Sequence, residues 1–351
     1  MTGYDPDPTT ASRLVTGHEW EEGLSEFLGD VALTTSIDAA TWDADVIVVC
    51  VQTPHEERKD GTWPDQTPAP FDLSYVRAAL AEIHSDAPVV LMSTVLPGDC
   101  RTLGRDDLIY APAFPAMGTT VRDVLNPEFI LAGVRDESFS ATVVQQLWHF
   151  VDTEFVIHSW ETIELAKMAY NTAIGAKIAL ANTVGWIAEE TGADGGEVMR
   201  ILSNAHRRIT SPAYLSPGLG DGGACHPRDQ LALSYLARKL GVYDLFGDII
   251  SQREAHSEWL ISYVEHVAAR SGLEPIILGS AYKANSSLDD GSPALLMANQ
   301  SGWEITNNPE DCHGRVVVIG VAHDEYKDLT IPGSVIVDPF GVVPHALQPG
   351  R

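Results

Sequence analysis

From Glu161 the chain runs for about thirty residues without a proline, and Leu165, Met168, Ala169, Ile174, Ile178, Val184 and Ile187 recur along it at helical spacing. This stretch predicts one long helix, Glu161 to Gly192. It is apolar around much of its circumference, more than a single domain face requires, which predicts burial against a second copy of the chain. Lys167 and Asn171 lie four residues apart and therefore share a face of that helix. A polar pair on an otherwise apolar surface is either a solvent-facing edge or part of a site.

Before the helix the pattern is different. Val46 to Val51 is a continuous apolar run of the kind buried on both faces of a parallel sheet. Further strands are expected at Met1 to Tyr4, Val31 to Thr35, Val89 to Met92, Leu108 to Ala111, Phe129 to Ala132 and Phe155 to His158. Helices are expected across Asp5 to Gly17, Glu19 to Leu28, Leu73 to Ile83 and Ser138 to Phe150, with a polar loop running to Pro70. Polar residues gather where strands end, at Gln52-Thr53-Pro54 and at Ser93-Thr94, and open α/β sheets bind ligands at such carboxyl ends. After the long helix come helices at Gly195 to Ser203 and Asp244 to Ser271. A second, smaller alternating region follows, with strands at Pro275 to Gly279, Val316 to Gly320 and Ser334 to Asp338 and a helix at Pro293 to Gln300. The expected fold is α/β in three parts: 1–158, a helical centre at 159–272, and a short α/β region at 273–351.

Between the central helices lies Ser211 to Asp229, SPAYLSPGLGDGGACHPRD, too rich in proline and glycine to be a helix or strand interior. It ends on Cys225, and His226 to Lys239 then reads as a helix with Pro227 and Asp229 in its first turn and Leu231, Leu233, Tyr235 and Leu236 turned inward. A helix N-terminus favours a thiolate, which makes Cys225 a candidate nucleophile. The plain alternative is a buried structural cysteine.

Composition narrows the partners. Among 351 residues, 49 acidic against 22 basic side chains give a formal charge of -27, spread along the chain, which repels nucleic acid and anionic membranes. It resembles the solvated surface of a protein from a high-salt cytoplasm, with ordinary solubility as the alternative. Cys50, Cys100, Cys225 and Cys312 show no metal-ligand spacing and no disulfide framework, so no metal and a reducing compartment are expected. The longest apolar run, Val46 to Val51, is far too short to span a bilayer, and the expected location is the cytoplasm.

The segments VIVVCVQTP, STVLPG, ELAKMAYNTAIGAKI, YLSPGLGDGGACHPRD and LGSAYKANSSLDDGSPA occur in the order and spacing of the UDP-glucose/GDP-mannose dehydrogenases, and on them the chain is identified as similar to that family over essentially its whole length. The resemblance implies a Rossmann-like NAD domain, a central long helix that makes a homodimer, and a second Rossmann-like domain that holds a nucleotide sugar. It implies two-step oxidation of a sugar C6 alcohol to a carboxylate, with Cys225 as covalent nucleophile, Lys167 and Asn171 as oxyanion donors, Asp229 handling the proton and the hydrolytic water, and Thr94 positioning that water. Val51, Gln52, Thr53, Pro54, Ser93, Thr94, Arg228 and Asp5 match cofactor positions, Asp5 as the acid that takes the ribose hydroxyls. Lys167, Asn171, Arg208, Tyr214, Gly222, Gly223, Tyr282 and Lys283 match substrate positions, Arg208 reaching the site of the partner subunit.

Several positions depart from the family pattern. Ala113 and Met117 stand where the family carries two glutamates, and the FPAMGTT form resembles a subgroup of the family. Arg228 replaces a lysine, Asp221 replaces a phenylalanine, and Asp290 replaces an arginine. The last region looks short, with little room between Gly302 and Arg315 for the usual strand and helix. The first Rossmann strand, its GxGxxG turn and the first helix of the NAD domain have no counterpart, and the chain reads as starting at the second Rossmann strand, with weak or no NAD binding expected unless a segment lies upstream. Three readings stay open: an active nucleotide-sugar dehydrogenase, a non-catalytic paralogue that dimerises and binds nucleotide sugar, and an unrelated thiol enzyme.

Overall fold

The computed structural model describes residues 1–10, 22–28, 31–54, 70–116, 118–135, 142–223 and 225–350. It divides into two units, Met1–Gly175 and Ala176–Arg351. The loop expected before Pro70 (55–69), residues 11–21 of the helices expected over 5–28, the first four residues of the helix expected from Ser138, and Met117 lie outside the described residues.

In the first unit β1 (Thr2–Tyr4) pairs in parallel with β2 (Ala32–Thr34) as a two-stranded sheet. A separate five-stranded sheet follows the order β3-β4-β5-β6-β7, with β3 Ile47–Val49, β4 Val89–Leu91, β5 Ile109–Tyr110, β6 Phe129–Val134 and β7 Glu154–Ser159. Its pairs are parallel except β5 with β6. Val89, Val90 and Leu91 are wholly buried, as a strand covered on both faces requires, so the apolar runs of the sequence form the centre of this sheet. Among the described residues β1 pairs only with β2 and β3 only with β4, and Val48 of β3 is exposed. Short helices accompany the sheets: α1 Ser25–Leu28, α2 Ile37–Thr41, α3 Ser74–Glu82, α4 Thr120–Leu125 and α5 Thr142–Leu147. Two of them, α2 and α4, were not anticipated; each is too short to show a helical period.

The long helix α6 spans Trp160–Thr191, within a residue of expectation. Beyond it, α7 (Gly195–Ser203) starts on Asp194, whose side chain accepts from the Glu197 amide at 2.9 Å. α8 (His226–Leu240) ends on Gly241 at φ 72°, a left-handed cap that glycine adopts without strain. The N-cap of α9 (Leu245–Ser271), Asp244, accepts from Gly247 N at 2.8 Å and also ties back to Ser234 of α8 at 2.8 Å, which fixes the α8–α9 hairpin. The inward face of α8 is Ser234 and Ala237, not the expected set: Leu231, Leu233 and Tyr235 are exposed and Leu236 is half-buried. The face towards α9 needs small side chains for close approach, so the large apolar ones are displaced outward.

The second sheet is parallel throughout, in the order β11-β10-β8-β9, with β8 Pro275–Leu278, β9 Glu304–Thr306, β10 Val316–Ile319 and β11 Val335–Val337. β9 lies between Gly302 and Arg315, where the sequence reading saw little room for the usual strand and helix. The strand fits because the helix expected after it is reduced to a single tight turn at Pro309–Cys312. Helix α10 (Pro293–Ser301) opens on Ser292, whose hydroxyl accepts from Ala294 N at 3.2 Å, with Pro293 in its first turn.

Candidate active site

Adjacent parallel strands bring two polar strand ends together. The Ser93 hydroxyl donates to Val51 O at 2.6 Å and the Thr53 hydroxyl donates to Thr94 O at 2.8 Å, so the loops after β3 and β4 are laced to each other by side chains. Val51, Thr53 and Pro54 are half-buried there, and Gln52 is exposed. Asp5 follows β1, where its carboxylate accepts from Asp7 N at 2.8 Å as a local turn acceptor. Sequence reasoning placed all of these at strand ends, and the structure keeps them there.

The N-terminal third of α6 presents two buried charged side chains one turn apart. Lys167 is 8% exposed; its ammonium donates to Ala113 O at 2.7 Å and lies 4.3 Å from the centre of the Phe114 ring. Burial lowers its pKa from the ordinary 10.5. One of its three N–H donors is committed to that carbonyl, which leaves two for other acceptors. Asn171, one turn on, is exposed.

Glu164, three residues before Lys167, is fully buried. Its two carboxylate oxygens accept from Gly98 N at 2.6 Å and from Cys100 N at 2.8 Å. Both amides belong to the loop that begins at Thr94. Burial, and after it the hydrogen bond to Glu164, push the Cys100 thiol far above the ordinary range. Leaving either amide without an acceptor would cost about 1–3 kcal/mol. The nearby Arg101–Glu161 pair spans the same helix and loop, but at the surface, where water screens it. Sequence reasoning missed Glu164; the available signal was an acidic residue on the same helix face as Lys167 in a run of apolar neighbours.

Beside Lys167 a cavity of about 250 Å³ is lined by Ala113, Phe114, Glu128, Phe129, Trp148 and Tyr170, with the Tyr170 hydroxyl donating to Glu128 at 3.2 Å. Phe114, Phe129 and Tyr170 meet edge to face, with ring centres 4.9 to 6.0 Å apart. Ala113, where the family resemblance led us to expect a glutamate, contributes its backbone carbonyl.

In the second unit Cys225 is the N-cap of α8. Its thiol is exposed and makes no capping bond, which leaves the sulfur free to meet a reactant. Arg228 and Asp229 pair beside it, Nε to Oδ1 at 3.0 Å, and both are exposed. Upstream, Gly222 and Gly223 press on Tyr282: a Cβ at Gly223 would lie 2.9 Å from the Tyr282 ring, and φ there is 85°. At Gly222 a Cβ would lie 2.8 Å from Pro293 Cδ, so Gly222 is required by close approach and Gly223 by close approach together with its positive φ. Asp221, where the family carries phenylalanine, is paired with Arg253 at 3.1 Å and accepts from Gln230 at 2.7 Å, which anchors the loop to α8 and α9 by charge in place of an aromatic ring. Tyr214 (φ 66°), Arg208, Lys283 and Asp290 are all exposed. Among the described residues no group of three His, Cys, Asp or Glu side chains is placed to hold a metal ion, and no helix is long and apolar enough to cross a membrane.

Comparison with known proteins gives two family matches. The NAD binding domain of the UDP-glucose/GDP-mannose dehydrogenase family matches residues 15–151, and the central domain of the same family matches residues 161–252. GDP-mannose 6-dehydrogenase of Pseudomonas aeruginosa is 27% identical over 317 residues, covering 81% of this chain and 69% of that protein. UDP-glucose 6-dehydrogenase 1 of Arabidopsis thaliana is 24% identical over 313 residues, covering 80% and 63%. The chain spans about two thirds of the length of the curated relatives it matches. Among solved structures, a ternary complex of GDP-mannose dehydrogenase from Pseudomonas aeruginosa superposes with TM-score 0.80 at 24% identity, covering 98% of this chain and 92% of the other, which shows the fold. A UDP-glucose dehydrogenase from the archaeon Pyrobaculum islandicum matches with TM-score 0.51 at 25% identity, covering 99% and 90%.

Proposed function

Because this chain belongs to the UDP-glucose/GDP-mannose dehydrogenase family, we propose that it is a nucleotide-sugar 6-dehydrogenase that oxidises the C6 alcohol of a GDP- or UDP-sugar to a uronate. Its class, an oxidoreductase acting on CH–OH groups with NAD as cofactor, comes with the family. The observation that carries the finer reading is Cys225, an exposed thiol at the N-terminus of α8 beside Arg228 and Asp229.

NAD, when bound, supplies the hydride acceptor for each oxidation. The strand-end cluster of Val51, Thr53, Ser93 and Thr94 suits such a group, because two neighbouring parallel strands end there in backbone carbonyls and hydroxyls already ordered by their mutual hydrogen bonds. Gln52 and Pro54 border it, Asp5 is the proposed ribose acceptor, and Arg228 a further cofactor contact. The chain's own groups do the rest. The Cys225 thiolate adds to the C6 aldehyde, forming a C–S bond and placing negative charge on oxygen. Lys167, through the N–H donors that Ala113 O does not use, and the Asn171 amide hydrogen-bond to that oxygen. After the second oxidation the acyl group is a Cys225 thioester. Water, oriented by Thr94, bonds to the acyl carbon while the C–S bond breaks; the thiolate leaves and Asp229 takes the proton lost by the water. Arg208, Tyr214, Gly222, Gly223, Tyr282 and Lys283 are the proposed nucleotide-sugar contacts.

The proposed assembly is a homodimer through α6, with Arg208 completing the partner's site. Leu165, Ile174, Ile178 and Trp186 of α6 are exposed in the single chain, as are Leu231 and Tyr235 of α8, which together leave much apolar surface for a second copy to cover. The three-part division at 158 and 272, and a cytoplasmic setting of high salt, belong to the same reading. The test is direct: the chain, together with any segment that lies upstream of it, is incubated with NAD and either GDP-mannose or UDP-glucose. Two NADH per uronate formed is the expected result, and no NADH from either sugar would overturn it.

A further inference from the structure

We propose that Glu164 is a positioning residue for thioester hydrolysis: it fixes the Thr94 loop to the turn of α6 that carries Lys167. This deepens the dehydrogenase reading and rests on it. Glu164 is fully buried and its carboxylate spends both oxygens on one loop, accepting from Gly98 N at 2.6 Å and Cys100 N at 2.8 Å. The other end of that loop is held to the β3 strand end by Ser93 and by the bond from Thr53 to Thr94 O. Within the loop, Asp99 accepts from Leu96 N at 2.7 Å, so the segment from Thr94 to Cys100 is braced internally and clamped at both ends. Glu164 and Lys167 are three residues apart on one helix and therefore neighbours on its surface. A rigid helical turn thus sets where the loop hydroxyl of Thr94 lies relative to the Lys167 ammonium, and it does so with a side chain that never meets the substrate. An ordinary buried carboxylate would be expected to pair with a cation; this one is matched to two backbone amides and a thiol, an arrangement that specifies a loop position.

The role is selective for one half of the reaction. Addition of the thiolate to the aldehyde depends on Cys225, Lys167 and Asn171, whereas Thr94 is assigned to the water that attacks the thioester. The test compares Glu164→Gln, which keeps one acceptor oxygen and loses the other, with Glu161→Gln, which removes only the surface pair to Arg101. With NAD and whichever of GDP-mannose and UDP-glucose the unaltered chain oxidises, Glu164→Gln should retain a burst of two NADH per site and a kcat/KM for the sugar within about twofold, KM falling with kcat. Its steady-state kcat should fall about tenfold to a hundredfold, as a misplaced water-orienting group predicts, with acyl-Cys225 accumulating by mass. Amide exchange at Gly98 and Cys100 should quicken in Glu164→Gln and stay unchanged in Glu161→Gln. Burst and steady state falling together, or exchange at the two amides unaffected, would overturn the role of Glu164 alone. No NADH from the unaltered chain would overturn the dehydrogenase reading itself.

Discussion

The loop around Cys225 and the loop around Cys100 carry the same side chain in opposite surroundings. Cys225 closes an irregular, glycine-rich segment and sits exposed at the start of α8, with a guanidinium and a carboxylate beside it. Cys100 is 1% exposed, packed in the core of the five-stranded sheet's unit, and its thiol is pushed far up by burial and by Glu164. One is presented and the other is locked away. A thiol becomes a nucleophile through access and a favourable field, neither of which residue type alone supplies.

Breaking this contrast is most drastic at Cys225 itself. Cys225→Ser should lower uronate formation about a thousandfold or more, because a serine alkoxide is harder to generate and leaves more slowly, whereas Cys100→Ser should leave kcat within a few-fold. NADH and uronate assays on both variants decide it, and similar losses in the two would erase the distinction.

A smaller effect, about a hundredfold to a thousandfold on kcat, is expected for Lys167→Met, which removes a charged oxyanion donor. The sign of its pH dependence follows from burial. Lys167 works protonated and its pKa is lowered, so activity should fall on the alkaline side earlier than for an exposed lysine, and Lys167→Arg should move that limb to higher pH. An alkaline limb that stays put in Lys167→Arg would assign it to another group.

Thiol accessibility sharpens the contrast without relying on activity. In the folded protein at pH 8 a maleimide should label Cys225 and the exposed Cys50 well before Cys100, and before Cys312, whose thiol is pushed up to about 11 by burial and by Asp311. Labelling of all four together in native buffer would show that the Cys100 loop opens freely.

The smallest effects are on stability. Gly223→Ala meets the Tyr282 ring at positive φ and should cost about 1–3 kcal/mol in urea unfolding. The net charge of -27 predicts a melting temperature that rises with potassium chloride from about 0.1 M to about 2 M, as screening relieves self-repulsion. A flat salt response would remove the high-salt reading.

What was legible in the sequence follows the same division. Elements with a long period or a continuous apolar run were read nearly to the residue: α6, α7, α9, β3, β8 and β10. Cys225, Lys167, Asn171 and Thr94 were named from the motifs that carry them, and their roles stand as proposals. What escaped was set by tertiary contacts. The short β9 between Gly302 and Arg315 has no pattern of its own and exists because β8 pairs with it. The outward turn of Leu231 and Tyr235 depends on how closely α8 approaches α9. The pairing of Asp221 with Arg253 turns an apparent lapse from the family pattern into a second way of holding the Cys225 loop, and it joins residues 32 positions apart. Glu164 lay in plain view on the Lys167 face, but its partners, two backbone amides more than 60 residues away, leave no mark in the sequence.

The central claim is that Cys225 carries the sugar as a covalent acyl group. The most direct measurement is acid quenching of the enzyme during turnover with NAD and GDP-mannose or UDP-glucose, followed by peptide mass analysis. The account predicts an added nucleotide-uronosyl mass on the Cys225 peptide, released by mild base, together with two NADH per uronate. Turnover at that stoichiometry with the Cys225 peptide unmodified, and full activity in Cys225→Ser, would contradict it.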